Sequence, residues 1–133
     1  MDRIVIADDH PLFRAALATA LARAAPGAAI AETDSLAGAR AALAAGAVDL
    51  LLLDLKLSDS EGFAGLASIR ADFPTAPVAI VSASDDAGTI RRALAFGAAG
   101  FIPKSATLSD MVEALEAILA GDVWAPAVSG EAP

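Results

Sequence analysis

The chain has no cysteine and no tyrosine among its 133 residues, and it has few basic side chains. The lack of cysteine excludes disulfide bonds, thiolate nucleophiles and cysteine-ligated metals, so any chemistry depends on oxygen and nitrogen groups. Nine Lys and Arg against 17 Asp and Glu give a formal net charge of −8. Because DNA phosphates are contacted by clustered Lys and Arg, this segment is not expected to bind nucleic acid.

Long apolar runs are also missing, although 56% of the residues are hydrophobic. Asp, Gly, Pro and Arg interrupt each apolar stretch well short of the roughly 20 residues that cross a bilayer. The first apolar run, Ile4 to Ala7, is too short for the core of a signal peptide and is followed at once by acids. We therefore expect no membrane contact and a cytoplasmic location. The length suits a single domain.

The sequence does contain a fivefold alternation of short apolar runs with longer segments of helical period. The strand candidates are RIVIAD, AIAETD, VDLLLLD, APVAIVSA and GFIP. VDLLLLD is apolar without alternation, which is typical of a strand covered on both faces. The pattern predicts an α/β fold with a doubly wound parallel sheet. The periodicity stops after Trp124, so residues 1–124 are the predicted domain and 125–133 a flexible tail or the start of a linker.

Polar residues from four predicted strands fall at the same edge of the sheet. They are Asp8 and Asp9 after the first strand, Asp54 after the third, Ser82 after the fourth and Lys104 after the fifth. Each residue alone is more often a strand terminator or a helix cap. Because open α/β sheets bind ligands outside the carboxyl ends of their strands, the coincidence favours one shared site.

The three carboxylates of this set repel one another unless a hard cation neutralises them, and Mg²⁺ prefers such oxygen ligands. With the cation in place, Asp54 can act as a nucleophile towards phosphorus and form an aspartyl phosphate. Phosphoryl transfer also needs a protein cation and a hydroxyl donor for the remaining oxygens. Lys104 and Ser82 fit these two roles.

Four motifs, IADDHP, LLLDLKLSDSEG, IVSAS and GAAGFIPK, resemble the receiver domains of two-component response regulators over about residues 3–124. The resemblance implies a flavodoxin-like fold whose five-stranded parallel sheet has the order 2-1-3-4-5. It implies that Asp9 binds Mg²⁺ directly and Asp8 through water. It further implies that Asp54 both binds the ion and accepts the phosphoryl group, and that the backbone carbonyl of Lys56 completes the protein ligands.

The same resemblance implies that Ser82 and Lys104 hold the phosphoryl oxygens. Ser82 and Phe101 would form a switch in which Phe101 turns inward and changes the surface of the fourth helix, fifth strand and fifth helix. The implied partners are a sensor histidine kinase and, on activation, a second copy of the chain. ADDHPLFR and GAAGFIPKS are most similar to receivers of the LuxR or NarL type, whose helix-turn-helix output is absent here. No enzymatic activity is implied beyond self-phosphorylation and autodephosphorylation.

Three positions depart from the common pattern of these receivers. Ser58 stands where proline often follows the acceptor, which predicts a less rigid loop, while Gly62 matches the glycine of the pattern. Ser105 follows the lysine where many receivers have proline, so whether the peptide bond after Lys104 is cis is left open; a non-proline cis bond costs about 2.5–4 kcal/mol. Lys56 carries a flexible ammonium, and we hypothesise that with Ser84 it adjusts the lifetime of the phosphate.

Several other interpretations of the sequence stay open. The alternatives to a phosphorylated receiver that controls an absent output domain are a stand-alone or degenerate receiver that acts by protein contacts and, less readily, a phosphatase of the haloacid dehalogenase type or a flavodoxin-like cofactor binder. The phosphatase would need a second aspartate at position 56, where this chain has Lys56. His10, next to a proline at a helix start, is interpreted as a surface loop residue. Trp124 is expected to pack the end of the last helix against the body of the domain.

Overall fold

A computed structural model describes residues 2–126 of the chain. The strands are β1 (Arg3–Ala7), β2 (Ala29–Thr33), β3 (Leu50–Asp54), β4 (Lys56–Leu57), β5 (Ser60–Glu61), β6 (Val78–Ser82) and β7 (Gly100–Pro103). The helices are α1 (Pro11–Ala24), α2 (Leu36–Ala45), α3 (Ala64–Asp72), α4 (Ala87–Ala95) and α5 (Leu108–Leu119).

Five of the strands form one parallel sheet in the order β2-β1-β3-β6-β7. These are the five predicted strands, and their order is the predicted 2-1-3-4-5, so the doubly wound α/β fold is confirmed. The short strands β4 and β5 pair with each other in an antiparallel hairpin just after β3. The apolar pattern of the sequence did not indicate this hairpin.

Alternate residues of the sheet face two separate hydrophobic cores. Leu51 and Leu53 of β3 belong to the core beneath α2, α3 and α4, whereas Leu50 and Leu52 belong to the core beneath α1 and α5. All four leucines are buried. Helices on both faces therefore explain why this strand is apolar throughout, and they leave the strand ends as the place where polar groups meet.

Helices α2, α4 and α5 begin with side-chain caps just after the loops that follow their strands. Ser35, Asp86 and Thr107 each accept a hydrogen bond from a backbone N–H in the first turn. Helix α1 differs, because His10 occupies its N-cap position without a side-chain cap bond and Pro11 begins the helix. The imidazole of His10 is therefore available for contacts outside the helix.

The last described segment returns to the sheet after α5. Trp124 forms an isolated parallel bridge with Gly100 of β7, and its half-buried side chain packs against the core beneath α1 and α5. The expected packing of Trp124 against the body of the domain is confirmed. Most of the predicted tail, residues 127–133, lies outside the described residues. Within residues 2–126, no helix is both long and apolar enough to cross a membrane.

Candidate functional site

The carboxyl ends of the parallel strands bring the predicted site residues together. Asp54 is the last residue of β3 and Ser82 the last of β6, while Asp8 follows β1 and Lys104 follows β7. A cavity of about 340 Å³ lies over this edge, and its lining includes Asp54, Lys56, Ser82 and Lys104. The convergence predicted from four separate strands is thus present in the fold.

Lys104 lies between the two buried carboxylates of the site. Its Nζ donates a hydrogen bond to Asp54 Oδ2 at 2.9 Å and another to Asp8 Oδ1 at 3.2 Å. Asp8 is fully buried and Asp54 is 5% exposed, so both charges are largely removed from water. A single ammonium therefore balances two carboxylates that burial would otherwise destabilise.

The carboxylates of the site accept fewer hydrogen bonds than they have oxygen atoms to offer, which suits the binding of a hard divalent cation. Asp8 Oδ2 is buried and has no hydrogen-bond partner among the described residues; its near neighbour is Lys104 Nζ, 3.0 Å away. Potential ligand atoms of four neighbouring residues lie within 4.8 Å of one another: Asp8, Asp9, His10 and Asp54. Three carboxylates around one point are the type of donor set that Mg²⁺ takes.

Burial raises the pKa of Asp54 above its ordinary value of 3.8. Hydrogen bonds from Lys104 and from the backbone N–H of Lys56 oppose this rise, while the nearby charge of Asp8 adds to it. The Lys56 N–H donates to Asp54 Oδ1 at 3.1 Å and so fixes the orientation of the carboxylate. Asp54 is therefore an oriented carboxylate whose ionised form depends on a neighbouring cation.

Ser82 lines the same cavity, and its hydroxyl oxygen accepts a hydrogen bond from the Ser84 N–H at 3.0 Å. The backbone carbonyl of Ser82 also accepts a hydrogen bond from the Lys104 N–H at 2.8 Å. The end of β6 is thereby bonded directly to the residue that carries the site ammonium. A movement of Ser82 would consequently shift the end of β7.

His10 is the functional candidate that the sequence interpretation missed. Its side chain is 60% exposed, as expected for a surface loop, but Nδ1 lies 3.2 Å from both Asp8 Oδ1 and Asp9 Oδ1. The same nitrogen is 2.6 Å from Lys104 Nζ. The signal for this contact was the place of His10 directly after the acidic pair at the end of the first strand.

Phe101, the predicted switch aromatic, belongs to β7, and its side chain is fully buried in the core beneath α2, α3 and α4. Its movement on activation stays a prediction. The bond between Lys104 and Ser105 is trans, because the described chain contains no cis peptide.

The loop after the acceptor is held by several contacts. Ser58 lies in the turn of the β4–β5 hairpin, and the carboxylate of Asp59 accepts hydrogen bonds from the N–H groups of Leu36 and Ala37 at 2.7 and 3.0 Å. Those bonds also lower the pKa of Asp59. Gly62 follows with φ of 68°, a left-handed conformation that favours glycine.

Comparisons with known proteins agree with this geometry. Residues 4–116 match the family model of the response regulator receiver domain. The chain is 42% identical over 127 residues to the glycerol metabolism activator of Pseudomonas putida, covering 95% of this chain and 58% of that protein. It is 35% identical over 130 residues to the probable transcriptional regulatory protein NarL of Mycobacterium tuberculosis, covering 96% and 60%.

A solved structure gives the same result. The LuxR family DNA-binding response regulator from Silicibacter pomeroyi superposes with a TM-score of 0.82 at 35% identity, covering 95% of this chain and 98% of that one. The chain spans less than two thirds of the length of the two curated relatives. The family match leaves no place for the phosphatase and cofactor-binder alternatives. The chain belongs to the receiver domains of two-component response regulators, with relatives of the LuxR and NarL type.

Proposed function

We propose that Asp54 accepts a phosphoryl group from a phosphohistidine of a sensor histidine kinase. Asp8, Asp9 and Asp54, with the backbone carbonyl of Lys56, would hold the Mg²⁺ ion that this transfer requires. The single observation that carries the proposal is the buried pair of Asp8 and Asp54 bridged by the Lys104 ammonium at the edge of the sheet. Two buried carboxylates that share one ammonium group still carry a net negative charge, so they favour the binding of a second cation.

The chemistry is a group transfer from nitrogen to oxygen. An Asp54 carboxylate oxygen attacks phosphorus, the P–N bond of the donor breaks, and the donor imidazole leaves with the bonding electrons and takes up a proton. Bound Mg²⁺ supplies positive charge next to the phosphoryl oxygens. Lys104 then pairs with one phosphoryl oxygen, and the hydroxyl of Ser82 donates to another. The product is an aspartyl phosphate.

The proposed consequence is control of an output domain. The relatives described above include transcriptional regulators, and this chain matches about three fifths of their length. We propose that the full protein carries a DNA-binding output of the LuxR type after the receiver, which spans residues 1–124. Phosphorylation would alter the surface of α4, β7 and α5 and favour a homodimer. The receiver itself would act as a phosphoacceptor rather than as an enzyme on other substrates.

The binding of beryllofluoride, observed by ¹⁹F NMR, tests this proposal without a kinase. We expect a bound fluoride signal only when Mg²⁺ is present and only with an intact Asp54. Asp54→Asn should abolish the signal, whereas Asp85→Asn, which removes an exposed carboxylate from the loop before α4, should retain it. A bound signal that survives either Asp54→Asn or the removal of Mg²⁺ would contradict the proposal.

A further inference from the structure

The Nδ1 atom of His10 lies close both to a hydrogen-bond donor and to hydrogen-bond acceptors, and it cannot bond to all of them at once. Lys104 Nζ, 2.6 Å away, can only donate a hydrogen bond, while the oxygens of Asp8 and Asp9, both 3.2 Å away, can only accept one. Neither tautomer of the ring therefore suits all of these neighbours. A divalent cation would suit the carboxylates and would take the lone pair of the imidazole nitrogen.

The position of His10 is also fixed by the backbone. Its N–H donates to Asp8 Oδ1 at 2.7 Å, and Pro11 restrains the chain that follows. A second observation is independent of the histidine: Asp8 Oδ2 is buried without a hydrogen-bond partner in the described part of the chain. The His10 nitrogen thus lies next to a carboxylate whose second oxygen is buried, accepts no hydrogen bond and has the Lys104 ammonium 3.0 Å away.

We propose that His10 is an additional ligand that sets the metal preference of this site. The inference rests on the proposed function, because it concerns the same carboxylates. Mg²⁺ gains little from a nitrogen donor, whereas Mn²⁺, Co²⁺ and Zn²⁺ bind imidazole with rising affinity. The site should therefore favour late first-row ions over Mg²⁺ more strongly than its carboxylates alone would.

Titration with Co²⁺, followed by its visible absorption, tests the role of His10 by a binding signal rather than by activity. We expect His10→Ala and His10→Asn to weaken Co²⁺ binding by about tenfold or more, while Mg²⁺ binding changes by less than about threefold. Leu12→Ala is the matched control, because Leu12 is 89% exposed at the start of the same helix. Circular dichroism establishes that each variant is folded.

Two other outcomes would overturn the inference in distinguishable ways. If both His10 variants bind Co²⁺ as tightly as the unaltered chain, the nitrogen is not a ligand, and the proposed Mg²⁺ site stands. If the unaltered chain binds neither Co²⁺ nor Mg²⁺, the metal site itself is wrong, and the proposed function fails with it.

The outer edge of the sheet, formed by β7, is paired with the backbone of Trp124. The N–H of Phe101 donates to the carbonyl of Trp124 at 2.9 Å, and Trp124 forms a parallel bridge with Gly100, so Trp124 lies at the edge of β7 that β6 does not cover. Gly100 permits this approach, because a Cβ there would lie 3.0 Å from the Trp124 carbonyl oxygen and 2.5 Å from Ile118 Cδ1. The segment that leads out of the domain is thus paired with the last strand.

The site and this segment contact opposite parts of the same strand. The Lys104 N–H bonds the end of β7 to the carbonyl of Ser82, while Phe101 bonds the outer edge to Trp124. The backbone of β7 thus connects Ser82, which accepts from the Lys104 N–H, with Trp124, which accepts from the Phe101 N–H.

We infer that the outer edge of β7 is a docking site for the backbone of Trp124 and that activation at Asp54 loosens this pairing. The inference rests on the proposed function, since it needs a phosphoryl group at Asp54. Loosening the segment would reposition whatever chain follows it. A change at the site would then reach the output without a large movement of the core.

Amide hydrogen exchange measured by NMR tests the docking directly. With beryllofluoride and Mg²⁺, exchange of the Phe101 amide should accelerate by about tenfold or more. The Ala99 amide, just before β7, is the matched control, because it donates to the Val78 carbonyl of β6 at 2.7 Å, and its exchange should stay unchanged. Bound beryllofluoride with unchanged exchange at Phe101 would overturn the docking inference alone. Absence of bound beryllofluoride would instead overturn the proposed function, and the docking inference with it.

Discussion

The ammonium of Lys104 donates a hydrogen bond to Asp54 at 2.9 Å, although the two residues are 50 positions apart in the sequence. The same ammonium lies 3.0 Å from Asp8 Oδ2. Lys104 therefore supplies part of the positive charge that these carboxylates require. A bound divalent cation would relieve it of that role and let it pair with a phosphoryl group.

Lys104→Ala should consequently make stability depend more strongly on Mg²⁺. Removing one partner of a buried ion pair costs about 3–5 kcal/mol, and a cation that binds only the folded chain restores stability in proportion to its affinity. We expect a lower Tm without metal and a larger rise in Tm on adding Mg²⁺ than in the unaltered chain. Arg23→Ala, at an exposed position in the last turn of α1, is the control; equal Mg²⁺ responses in all three proteins would contradict the prediction.

The raised pKa of Asp54 predicts a pH-dependent stability difference. Above pH 3.8 the unfolded chain releases the Asp54 proton first, so the folded chain binds more protons, and stability falls as pH rises through the folded pKa. Asp54→Asn does not titrate. In the absence of metal, the Tm of Asp54→Asn minus that of the unaltered chain should therefore be larger at neutral pH than at pH 4. A difference that does not change with pH would refute this assignment.

The lifetime of the phosphate should depend on Lys56. Its N–H holds Asp54 at 3.1 Å, and its side chain is exposed beside the cavity, where the ammonium can reach a phosphoryl oxygen or hinder water. We expect Lys56→Asn to change the rate of dephosphorylation, measured as loss of the phosphorylated mass with time. Lys56→Arg retains the charge and serves as the comparison. An unchanged rate in Lys56→Asn removes the hypothesis.

Gly100→Ala should destabilise the pairing of the last segment with β7. The added methyl group would have to displace Ile118 and the Trp124 carbonyl, at a cost of about 1–3 kcal/mol. Trp124 is the only tryptophan and the chain has no tyrosine, so fluorescence reports this segment alone. We expect a lower urea midpoint and red-shifted emission. Gly46→Ala, whose Cβ would have no neighbour nearer than 3.9 Å, should show neither effect.

The sequence was sufficient to predict the five-stranded sheet, because each strand is a distinct apolar run and each helix has its own period. It also predicted that Asp54, Ser82 and Lys104 meet at one edge, since parallel strands end together. The β4–β5 hairpin escaped prediction because two-residue strands have no periodicity to detect.

Contacts that depend on side-chain direction or on a returning backbone were not predictable in the same way. The contact of His10 with Lys104 joins residues 94 positions apart, and nothing in the local pattern indicates where the ring points. The bond between Phe101 and Trp124 is formed by backbone atoms, so it leaves no residue signature. The inward position of Phe101 was likewise a question of packing, and the sequence could supply only its apolar character.

The most direct test of the central claim is the intact mass of the chain after incubation with acetyl phosphate and Mg²⁺. We expect a single phosphoryl adduct that disappears in Asp54→Asn and when the metal is chelated. An adduct that persists in Asp54→Asn would place the acceptor elsewhere. If the unaltered chain forms no adduct under any condition, while its fold is intact, it is a degenerate receiver, and the account of Asp54 given above is wrong.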